Sequence, residues 1–380
     1  MTTVPHVVLV ANTGWSVVRH RREQILGLVE RGWRVSAVAT LSQNEASAVR
    51  QLGAEPFCVP CEGNGANLAK NSLYFARLVK LLRRLRPDVV HNFSVKPSIW
   101  GSFAAKAAGV RGITCTITGA GPLRTDRQGA IQGLLRSLYR RALAGRVVTI
   151  FQNQNNLEFF VCNRLTERER TAYIPGCGVD TGALEPNFER TGATFIMASR
   201  MLWSKGVREF VEAARAIKRQ YPESKFLLLG GSSENYSSKN PDFVPAQILN
   251  DITQEGVVEW RGRVPPSMVE NEMRDAAAVV LLSSYAEGVP RALIEAAALG
   301  APIITTDAPG CRDVVVHRQS GFLCRKGCLA GDASEAMRRL LEEPDLASQM
   351  GRRGREIAMQ FDKRRVLSET LNVYERITVA

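Results

Sequence analysis

Short apolar runs alternate with longer amphipathic segments along most of the chain. The runs Val7–Val10 and Val279–Leu282 are continuously apolar, and Val35–Ala39 is apolar except for Ser36, which is typical of parallel strands buried on both faces. Between such runs lie segments whose apolar residues recur every three or four positions, for example Leu73–Leu85, and these segments predict helices. This order of elements predicts an α/β protein with doubly wound parallel sheets.

With 380 residues the chain is long enough for two domains, and its pattern is interrupted in the manner of a linker. Residues 185–192 carry a proline, an asparagine and a glycine between two series of strands and helices. We therefore expect an N-terminal Rossmann-like domain over residues 1–184 and a C-terminal Rossmann-like domain over residues 185–362.

A segment with two glutamates follows the predicted strand Val279–Leu282. Pro290 suits the first turn of a helix, because its missing N–H would be unpaired there. Glu287 is then expected in the strand-to-helix loop and Glu295 within the helix. Loops at the carboxyl ends of parallel strands bind ligands, helix starts offer amide donors to anions, and acidic residues nearby hold nucleotide riboses. The alternative is a surface-loop glutamate and a solvated helix glutamate.

This segment resembles the signature of the retaining glycosyltransferases of family four. The shared features are Glu-Gly-x-Pro followed by Glu-Ala, then Gly-x-Pro-Ile and the Pro-Gly-Cys-Arg at residues 309–312. The resemblance covers nearly the whole chain. It implies the GT-B fold, in which two doubly wound Rossmann-like domains face each other across a cleft and a final helix, here residues 363–380, crosses back to the N-terminal domain.

The resemblance also implies roles for individual residues of this segment. Glu295 is expected to hold the ribose of a nucleotide-sugar donor. Glu287, a catalytic candidate, is expected to face the sugar and the diphosphate together with the amides of Gly288 and Val289, and Pro290 completes this donor-binding turn.

Two cations five residues apart, Arg200 and Lys205, follow the predicted strand Phe195–Ala198. Fixed positive charge at a strand end beside a helix start neutralises a departing diphosphate, whereas the same residues in an ordinary loop are solvated. Both fall within an Arg-x-x-x-x-Lys-Gly pattern of the resembled family, so we predict a diphosphate clamp. Arg263 and Val264 resemble the family's segment whose backbone contacts the nucleotide base. The polar loop Ser232–Pro245 is a candidate lid.

The N-terminal series offers acceptor-side candidates in the corresponding loops. Gly14 is instead a donor-binding candidate, because it lies in the first strand-to-helix turn, where backbone approaches phosphate. Asn-Thr-x-Trp-Ser with a downstream arginine, and Thr-Gly-x-Gly where many members carry a histidine, are similar to a bacterial subgroup that extends undecaprenyl-diphosphate-linked sugars. A histidine and a lysine near another strand end add to the set, although a structural role is the alternative for the histidine. The candidates are Trp15, Ser16, Arg21, His91, Lys96, Thr118 and Gly119.

Composition narrows the classes of partner. A net charge of +13 allows nucleic acid, an anionic membrane surface or an anionic small substrate. We expect no nucleic acid, because the chain lacks a recognisable binding module and basic residues interleaved with aromatic ones. No apolar run approaches the ~20 residues that span a bilayer.

We expect neither a cofactor nor a metal ion. The chain contains no Asp-x-Asp, only four histidines and a single Cys-x-x-Cys at Cys58–Cys61. Eight scattered cysteines without a signal-peptide pattern predict reduced thiols in a cytoplasmic protein.

A basic helix is predicted over residues 131–146. One stripe is apolar and the opposite side is basic, which fits either a core-packed helix with a solvated basic face or insertion of the stripe into lipid. Without insertion, the basic face can still lie against anionic headgroups. We expect a peripheral protein on the cytoplasmic face of the cell membrane. The stripe comprises Ile131, Leu134, Leu135, Leu138 and Ala142, and the basic residues are Arg136, Arg140 and Arg141.

These observations together predict a retaining glycosyltransferase. It is expected to move a hexose or N-acetylhexosamine from a UDP-sugar to a polyprenyl-diphosphate-linked sugar in bacterial surface glycan assembly. The alternatives are a nonhydrolysing UDP-sugar epimerase, which shares the fold, and a non-catalytic two-domain sugar-binding protein.

Overall fold

The computed structural model describes residues 4–61, 68–120, 123, 129–190, 192–234, 240–284 and 288–379. The chain divides into two compact units, one formed by Met1–Gly178 with Lys363–Ala380 and the other by Val179–Asp362. The division at Gly178 comes before the boundary predicted at residue 184. Val179 pairs with the end of the second unit, since its N–H donates to the Phe361 carbonyl at 3.0 Å.

Each unit contains a parallel sheet. The strand order is β3-β2-β1-β4-β5-β6-β7 in the first unit and β10-β9-β8-β11-β12-β13 in the second. The strands of the first sheet are β1 His6–Thr13, β2 Arg34–Thr40, β3 Glu55–Cys58, β4 Val89–Phe93, β5 Gly112–Ile117, β6 Val147–Phe151 and β7 Thr171–Tyr173. Those of the second are β8 Thr194–Ala198, β9 Lys225–Leu229, β10 Glu259–Trp260, β11 Ala278–Leu281, β12 Ile303–Thr306 and β13 Gly321–Cys324.

Helices connect the strands of both sheets. In chain order they are α1 Gly14–His20, α2 Arg22–Glu30, α3 Gln43–Gln51, α4 Leu68–Leu85, α5 Ser102–Ala107, α6 Ala130–Leu143, α7 Gln154–Cys162, α8 Val207–Gln220, α9 Ala246–Gln254, α10 Pro266–Asp275, α11 Arg291–Ala298, α12 Leu329–Glu342, α13 Pro344–Ala358 and α14 Lys363–Val379. A π-helical turn, Pro97–Gly101, precedes α5. No helix in the described part of the chain is long and apolar enough to cross a membrane.

The first sheet is buried on both faces, as the continuous apolar runs predict. One face packs against α4, α5, α6 and α7, with Leu78 and Tyr139 in that core. The opposite face packs against α1, α2, α3 and α14, with Ile25 and Tyr374 in that core. The final helix therefore belongs to the first unit, although the second unit precedes it in sequence.

The observed strands lie within a few residues of the apolar runs of the sequence, but several elements escaped the pattern, among them α3, α10 and β7. Their burial explains this. Helix α3 buries a single apolar side chain fully, Val49, and α10 only Met273. Strand β7 is three residues long and partly exposed. Elements with so little buried surface lack the periodicity on which the prediction depends.

Both sheets reverse their strand order at one point, between β1 and β4 in the first and between β8 and β11 in the second. At such a point the two connections leave in opposite directions and open a crevice at the carboxyl ends of the strands, where α/β proteins bind ligands. The loops that follow these four strands therefore define the candidate sites.

Candidate active site

The loop after β8 carries the two predicted clamp cations. Arg200 is exposed, and Lys205 is half-buried at the end of a short 3-10 turn, Trp203–Lys205. Gly206 then caps α8 with φ +87°, and a Cβ at this position would lie 2.4 Å from the Leu282 carbonyl oxygen. Only glycine fits, because both the backbone conformation and the close approach exclude a side chain. The clamp loop is thereby pressed against the end of β11.

The ends of β9 and β10 also meet this loop. Gly230 follows β9, and a Cβ there would overlap the Ser199 carbonyl oxygen at 1.6 Å. The Gly230 N–H donates to the Gly262 carbonyl at 2.8 Å, which brings Arg263 and Val264 to the same sheet edge. Arg263 is exposed and Val264 is half-buried, so these predicted base-contacting residues lie at the rim of the clamp loop.

The loop after β11 leads to the helix that carries the second predicted glutamate. Gly288, Val289 and Pro290 are buried, and α11 begins at Arg291 with Pro290 as its N-cap, one position later than predicted. Glu287 lies outside the described residues.

Glu295 lies within α11 in a buried ion pair. The Arg291 Nε donates to Glu295 Oε1 at 2.8 Å, and the two side chains are 10% and 5% exposed. The solvated helix glutamate considered above is therefore excluded. Fixed by its partner one helical turn away, the carboxylate has the rigidity that a hydroxyl-binding group needs.

Ser204 connects the clamp loop to two other segments. Its N–H and hydroxyl both donate to the Asp242 carboxylate, at 3.0 and 2.5 Å. Its carbonyl accepts from the Ser284 N–H at 2.9 Å and from the Ser283 hydroxyl at 3.2 Å. The loops after β8 and β11 are thus joined through one residue.

The segment around Asp242 is not a lid. Phe243 and Val244 are buried in the second unit, and the Val244 N–H donates to the Met201 carbonyl at 2.9 Å. The lid interpretation of Ser232–Pro245 is wrong for residues 240–245, and residues 235–239 lie outside the described part of the chain.

Among the candidates of the first unit, Gly14, Trp15 and Ser16 form the start of α1. Thr13 caps this helix by accepting the Ser16 N–H at 3.3 Å. A Cβ on Gly14 would lie 2.6 Å from the Glu45 carboxyl carbon, so packing within the unit accounts for this glycine. Trp15 is half-buried, with its ring edge-on to His20 at 4.8 Å.

His91 and Arg21 are buried rather than exposed at a loop. His91 lies inside β4, where its Nδ1 is 2.8 Å from the Tyr374 hydroxyl and its Nε2 is 2.7 Å from the Thr116 hydroxyl. Burial, and to a lesser degree Arg21, hold the pKa of His91 well below its usual value. The Arg21 guanidinium stacks 4.1 Å above the Phe93 ring. These contacts favour the structural role for His91, which is neutral near pH 7.

Lys96, Thr118 and Gly119 lie where the sequence predicted, directly after β4 and β5 at the carboxyl edge of the sheet. All three are half-buried. Cys61, at the end of the Cys-x-x-Cys segment, accompanies them, and its Sγ lies 3.5 Å from Asn12 Oδ1. Burial raises the pKa of this thiol, and Lys96 partly offsets the rise. The first sheet therefore gathers polar candidates at its carboxyl edge.

The basic helix α6 differs from its prediction. Its inward face is formed by Tyr139, Ala142 and Leu143, whereas Leu134 is 57% exposed. Leu135 and Leu138 are only partly buried against the same core, and the side chain of Ile131 lies outside the described residues. The apolar stripe is therefore rotated relative to the predicted one. Arg140 and Arg141 are exposed, as expected, but Arg136 is half-buried.

No metal cluster is present within the described ranges: no three histidine, cysteine, aspartate or glutamate side chains are grouped as ligands. Within those ranges the candidate site comprises the cations Arg200 and Lys205, backbone amides and the buried Glu295 carboxylate.

Comparison with known proteins decides the family. Residues 185–357 match the family of glycosyl transferases group 1, and residues 6–154 match the glycosyl transferase 4-like family. The chain belongs to the family four glycosyltransferases. This glycosyltransferase has the GT-B fold, built from two Rossmann-like domains.

Characterised relatives of the glycosyltransferase act on lipid-linked sugars. It is 26% identical, over 81% of each chain, to the N,N'-diacetylbacillosaminyl-diphospho-undecaprenol alpha-1,3-N-acetylgalactosaminyltransferase of Campylobacter jejuni. It is also 26% identical, over 70% of each chain, to an Escherichia coli UDP-Gal:alpha-D-GlcNAc-diphosphoundecaprenol alpha-1,3-galactosyltransferase. The structure of Anabaena HepE with UDP and glucose superposes with a TM-score of 0.77 at 16% identity, covering 98% of this chain and 100% of HepE.

Three site residues of the glycosyltransferase were not predicted from its sequence. Arg291 carried a signal, because an arginine four residues before a glutamate on a helix predicts an ion pair. Ser204 and Asp242 carried none, since 38 positions separate them and no local pattern links the two.

Proposed function

We propose that this glycosyltransferase moves a hexose or N-acetylhexosamine from a UDP-sugar to a polyprenyl-diphosphate-linked sugar, with retention of configuration, during assembly of a bacterial surface glycan. The second unit contributes most of the donor binding and the first unit most of the acceptor binding. The undecaprenyl-diphosphate-linked acceptors named for the two relatives, and the UDP bound to HepE, support these substrates.

The observation that carries the proposal is the convergence of two loops at the strand reversal of the second sheet. The loop with Arg200 and Lys205 is joined through Ser204 to the loop that runs into Gly288 and the start of α11. Cations and the backbone amides of a helix start at one edge are the groups that bind a diphosphate. Glu295, held in the same helix, contacts the ribose in this assignment, and Glu287 contacts the sugar.

The same groups account for the chemistry. Negative charge develops on the diphosphate as the bond to the sugar breaks, and Arg200 and Lys205 stabilise that charge from fixed positions. The diphosphate, retained on the face that it leaves, accepts the proton of the incoming acceptor hydroxyl. The new bond then forms on that same face, so configuration is retained. Because two cations neutralise the diphosphate, the reaction needs no metal ion.

The distribution of charge supports a membrane surface as the site of action. Residues 68–157 contain fifteen lysines and arginines against two acidic residues, a net charge of +13 that equals that of the whole chain. Helices α4, α5 and α6 lie in this segment, pack on one face of the first sheet, and contain no aspartate or glutamate. We name them the basic layer.

The basic layer also exposes apolar side chains. Leu73 on α4 and Leu134 on α6 are 51% and 57% exposed. Exposed cations attract anionic headgroups, at roughly 1 kcal/mol for each lysine or arginine near the surface. We infer that this layer, rather than α6 alone, holds the enzyme peripherally on the cytoplasmic face of the cell membrane, where a polyprenyl-linked acceptor is accessible.

The test is incubation of the purified protein with a panel of UDP-sugars, with and without polyprenyl-diphosphate-linked sugars, in the presence of a chelator. We expect UDP release and a longer lipid-linked glycan only when both substrates are present. An epimerised UDP-sugar formed without acceptor would instead establish the epimerase, and binding without turnover would establish a sugar-binding protein. Activity that is lost with the chelator and restored by magnesium or manganese would contradict metal independence.

A further inference from the structure

Asp242 contacts the diphosphate-binding loop although it lies far from that loop in sequence. Its carboxylate accepts both donors of Ser204, the backbone N–H through Oδ1 at 3.0 Å and the hydroxyl through Oδ2 at 2.5 Å. Its own carbonyl accepts the Trp203 N–H at 2.8 Å. Three hydrogen bonds therefore fix the two residues that directly precede Lys205.

The segment that carries Asp242 is anchored by the two residues that follow it. Its N–H donates to Asn240 Oδ1 at 3.1 Å, and the next two residues, Phe243 and Val244, are buried. Phe243 also pairs with Leu202 in a short antiparallel bridge. A carboxylate whose neighbours are buried in the core can hold a loop in one position, because its own position is fixed by packing.

Ser204, held by Asp242, is also hydrogen-bonded to the loop after β11. While its N–H and hydroxyl are held by Asp242, its carbonyl accepts the Ser284 N–H at 2.9 Å and both hydroxyls of Ser283 and Ser284, at 3.2 and 3.3 Å. Lys205 and the approach to Gly288 thus share one fixed point.

We propose that Asp242 is a positioning residue for catalysis, which acts through Ser204 to hold Lys205 and the loop after β11 in one arrangement. The claim about catalysis rests on the proposed function, whereas the claim about position does not. Asp242 has no direct contact with substrate in this proposal. Its effect on turnover depends on Lys205, and this dependence distinguishes it from a residue that only stabilises the fold.

The first measurement is a double-mutant cycle with Asp242→Asn and Lys205→Ala. Asparagine has the shape of aspartate but replaces one acceptor oxygen with a donor, so one of the two Ser204 donors loses its partner. A displacement of about 1 Å in a catalytic group costs up to about a hundredfold in rate, and we expect kcat to fall at least about tenfold in Asp242→Asn. In the Lys205→Ala background the same change should have little further effect.

Two variants complete the set. Ser204→Ala removes the hydroxyl but leaves the N–H, and we expect a smaller fall in kcat that likewise disappears in the Lys205→Ala background. Asp251→Asn is the matched control, because Asp251 is exposed on α9 of the same unit and its carboxylate accepts the Gln247 side-chain N–H at 2.8 Å. We expect it to keep the wild-type kcat.

The second measurement is amide hydrogen exchange of the protein without substrates. Asp242→Asn should accelerate exchange at Ser204, Lys205, Gly206 and Ser284, whereas Asp251→Asn should not. Unchanged exchange at Lys205 and Ser284 would overturn the positioning role. Equal effects of Asp242→Asn with and without Lys205 would overturn its link to catalysis. If the wild-type protein transfers no sugar, the proposed function fails, and the exchange experiment still decides the positioning claim.

Discussion

The carboxyl edges of the two sheets are built differently. In the second sheet, the loops after β8 and β11 are joined by hydrogen bonds through Ser204 and by the close contact between Gly206 and Leu282. In the first sheet, the polar contacts of His91 lie beneath the edge, where it is bonded to Tyr374 and Thr116 inside the core. The second edge is a preorganised site, and the first is a stable platform with candidates at its rim.

The two units also differ in charge, and this difference parallels the difference between their sheet edges. The first unit carries the excess of cations, which lies on the basic layer. In the second unit, the two cations of the predicted clamp, Arg200 and Lys205, follow the end of one strand. A small diphosphate is bound by a few fixed charges, whereas an extended anionic surface is bound by many mobile ones. The comparison therefore supports the proposal that the second unit binds the small diphosphate and the first unit binds the membrane surface.

The largest effect should come from the clamp. We expect Lys205→Ala to lower kcat about a hundredfold, because a preorganised charge at a developing negative charge contributes ~3 kcal/mol. Steady-state kinetics with a UDP-sugar and a lipid-linked acceptor measure it. Lys225→Ala is the control, since Lys225 is exposed at the opposite edge of the same sheet, where β9 begins. Near-normal turnover in Lys205→Ala would refute the clamp.

A similar effect on membrane binding should come from the basic layer. Replacing the exposed Arg77, Arg140 and Arg141 with glutamine removes three charges, or ~3 kcal/mol at roughly 1 kcal/mol each, and should weaken co-sedimentation with anionic vesicles about a hundredfold. Binding should also fall as salt rises.

The control for this prediction is a triple glutamine variant of Arg219, Arg318 and Arg353, which are exposed in the second unit. It should bind vesicles like the wild type. Equal binding of the wild type to neutral and anionic vesicles, or no binding to either, would rule out the electrostatic attachment and leave the charge to be explained by the substrates.

A smaller effect is expected on donor binding, and it should differ between the two glutamates assigned to the donor site. Glu295→Ala should weaken UDP roughly tenfold to a hundredfold, since a hydrogen bond to a charged group contributes ~1.5–3 kcal/mol. Glu287→Ala should weaken the UDP-sugar more than UDP. Calorimetry measures both, with Glu356→Ala on the exposed side of α13 as the control. The reverse order of effects would overturn the assignment.

The smallest expected effect concerns the stability of the first unit, through the buried His91. Because burial lowers the pKa of His91, the unfolded chain takes up a proton near pH 6.5 that the folded chain does not. The free energy of unfolding should therefore fall as the pH drops from about 7 to about 5, by up to ~1.4 kcal/mol per pH unit for this group. Urea unfolding of His91→Gln should show a shallower dependence, with a remainder from His6, whose pKa is also lowered by burial.

His317→Gln is the comparison for that measurement. His317 is exposed, so its substitution should change the pH dependence less than that of His91. An unchanged pH dependence in His91→Gln would show that the folded protein accepts the proton at His91 and would restore it as a candidate acid or base.

Much of the second site was predictable because its chemistry is local in sequence. Arg200 and Lys205 are five positions apart on one loop, and the turn from Gly288 to Glu295 is one continuous segment. A strand end followed by a helix start fixes the position of such residues almost without reference to the rest of the chain. The ion pair of Glu295 with Arg291 is local as well, because residues four apart on a helix are neighbours.

The first unit was less predictable, because burial there depends on distant elements. His91 is covered by Tyr374 from α14, which lies at the other end of the chain. The orientation of α6 depends on how it packs against the sheet. The sequence pattern alone placed Leu134 on the apolar stripe, whereas the structure exposes Leu134 and buries Tyr139.

The sequence by itself determined the alternation of strands and helices, the division into two units and the glycosyltransferase family, and it supplied the candidate residues of the donor-site loops, because each depends on periodicity or on a short motif. Only the tertiary structure decided that His91 is buried, that the basic residues of α4, α5 and α6 lie on one layer, and that Asp242 holds Ser204 next to Lys205. These facts depend on contacts between residues tens to hundreds of positions apart. Such contacts arise when the apolar faces of the helices and sheets pack together, and no local pattern records them.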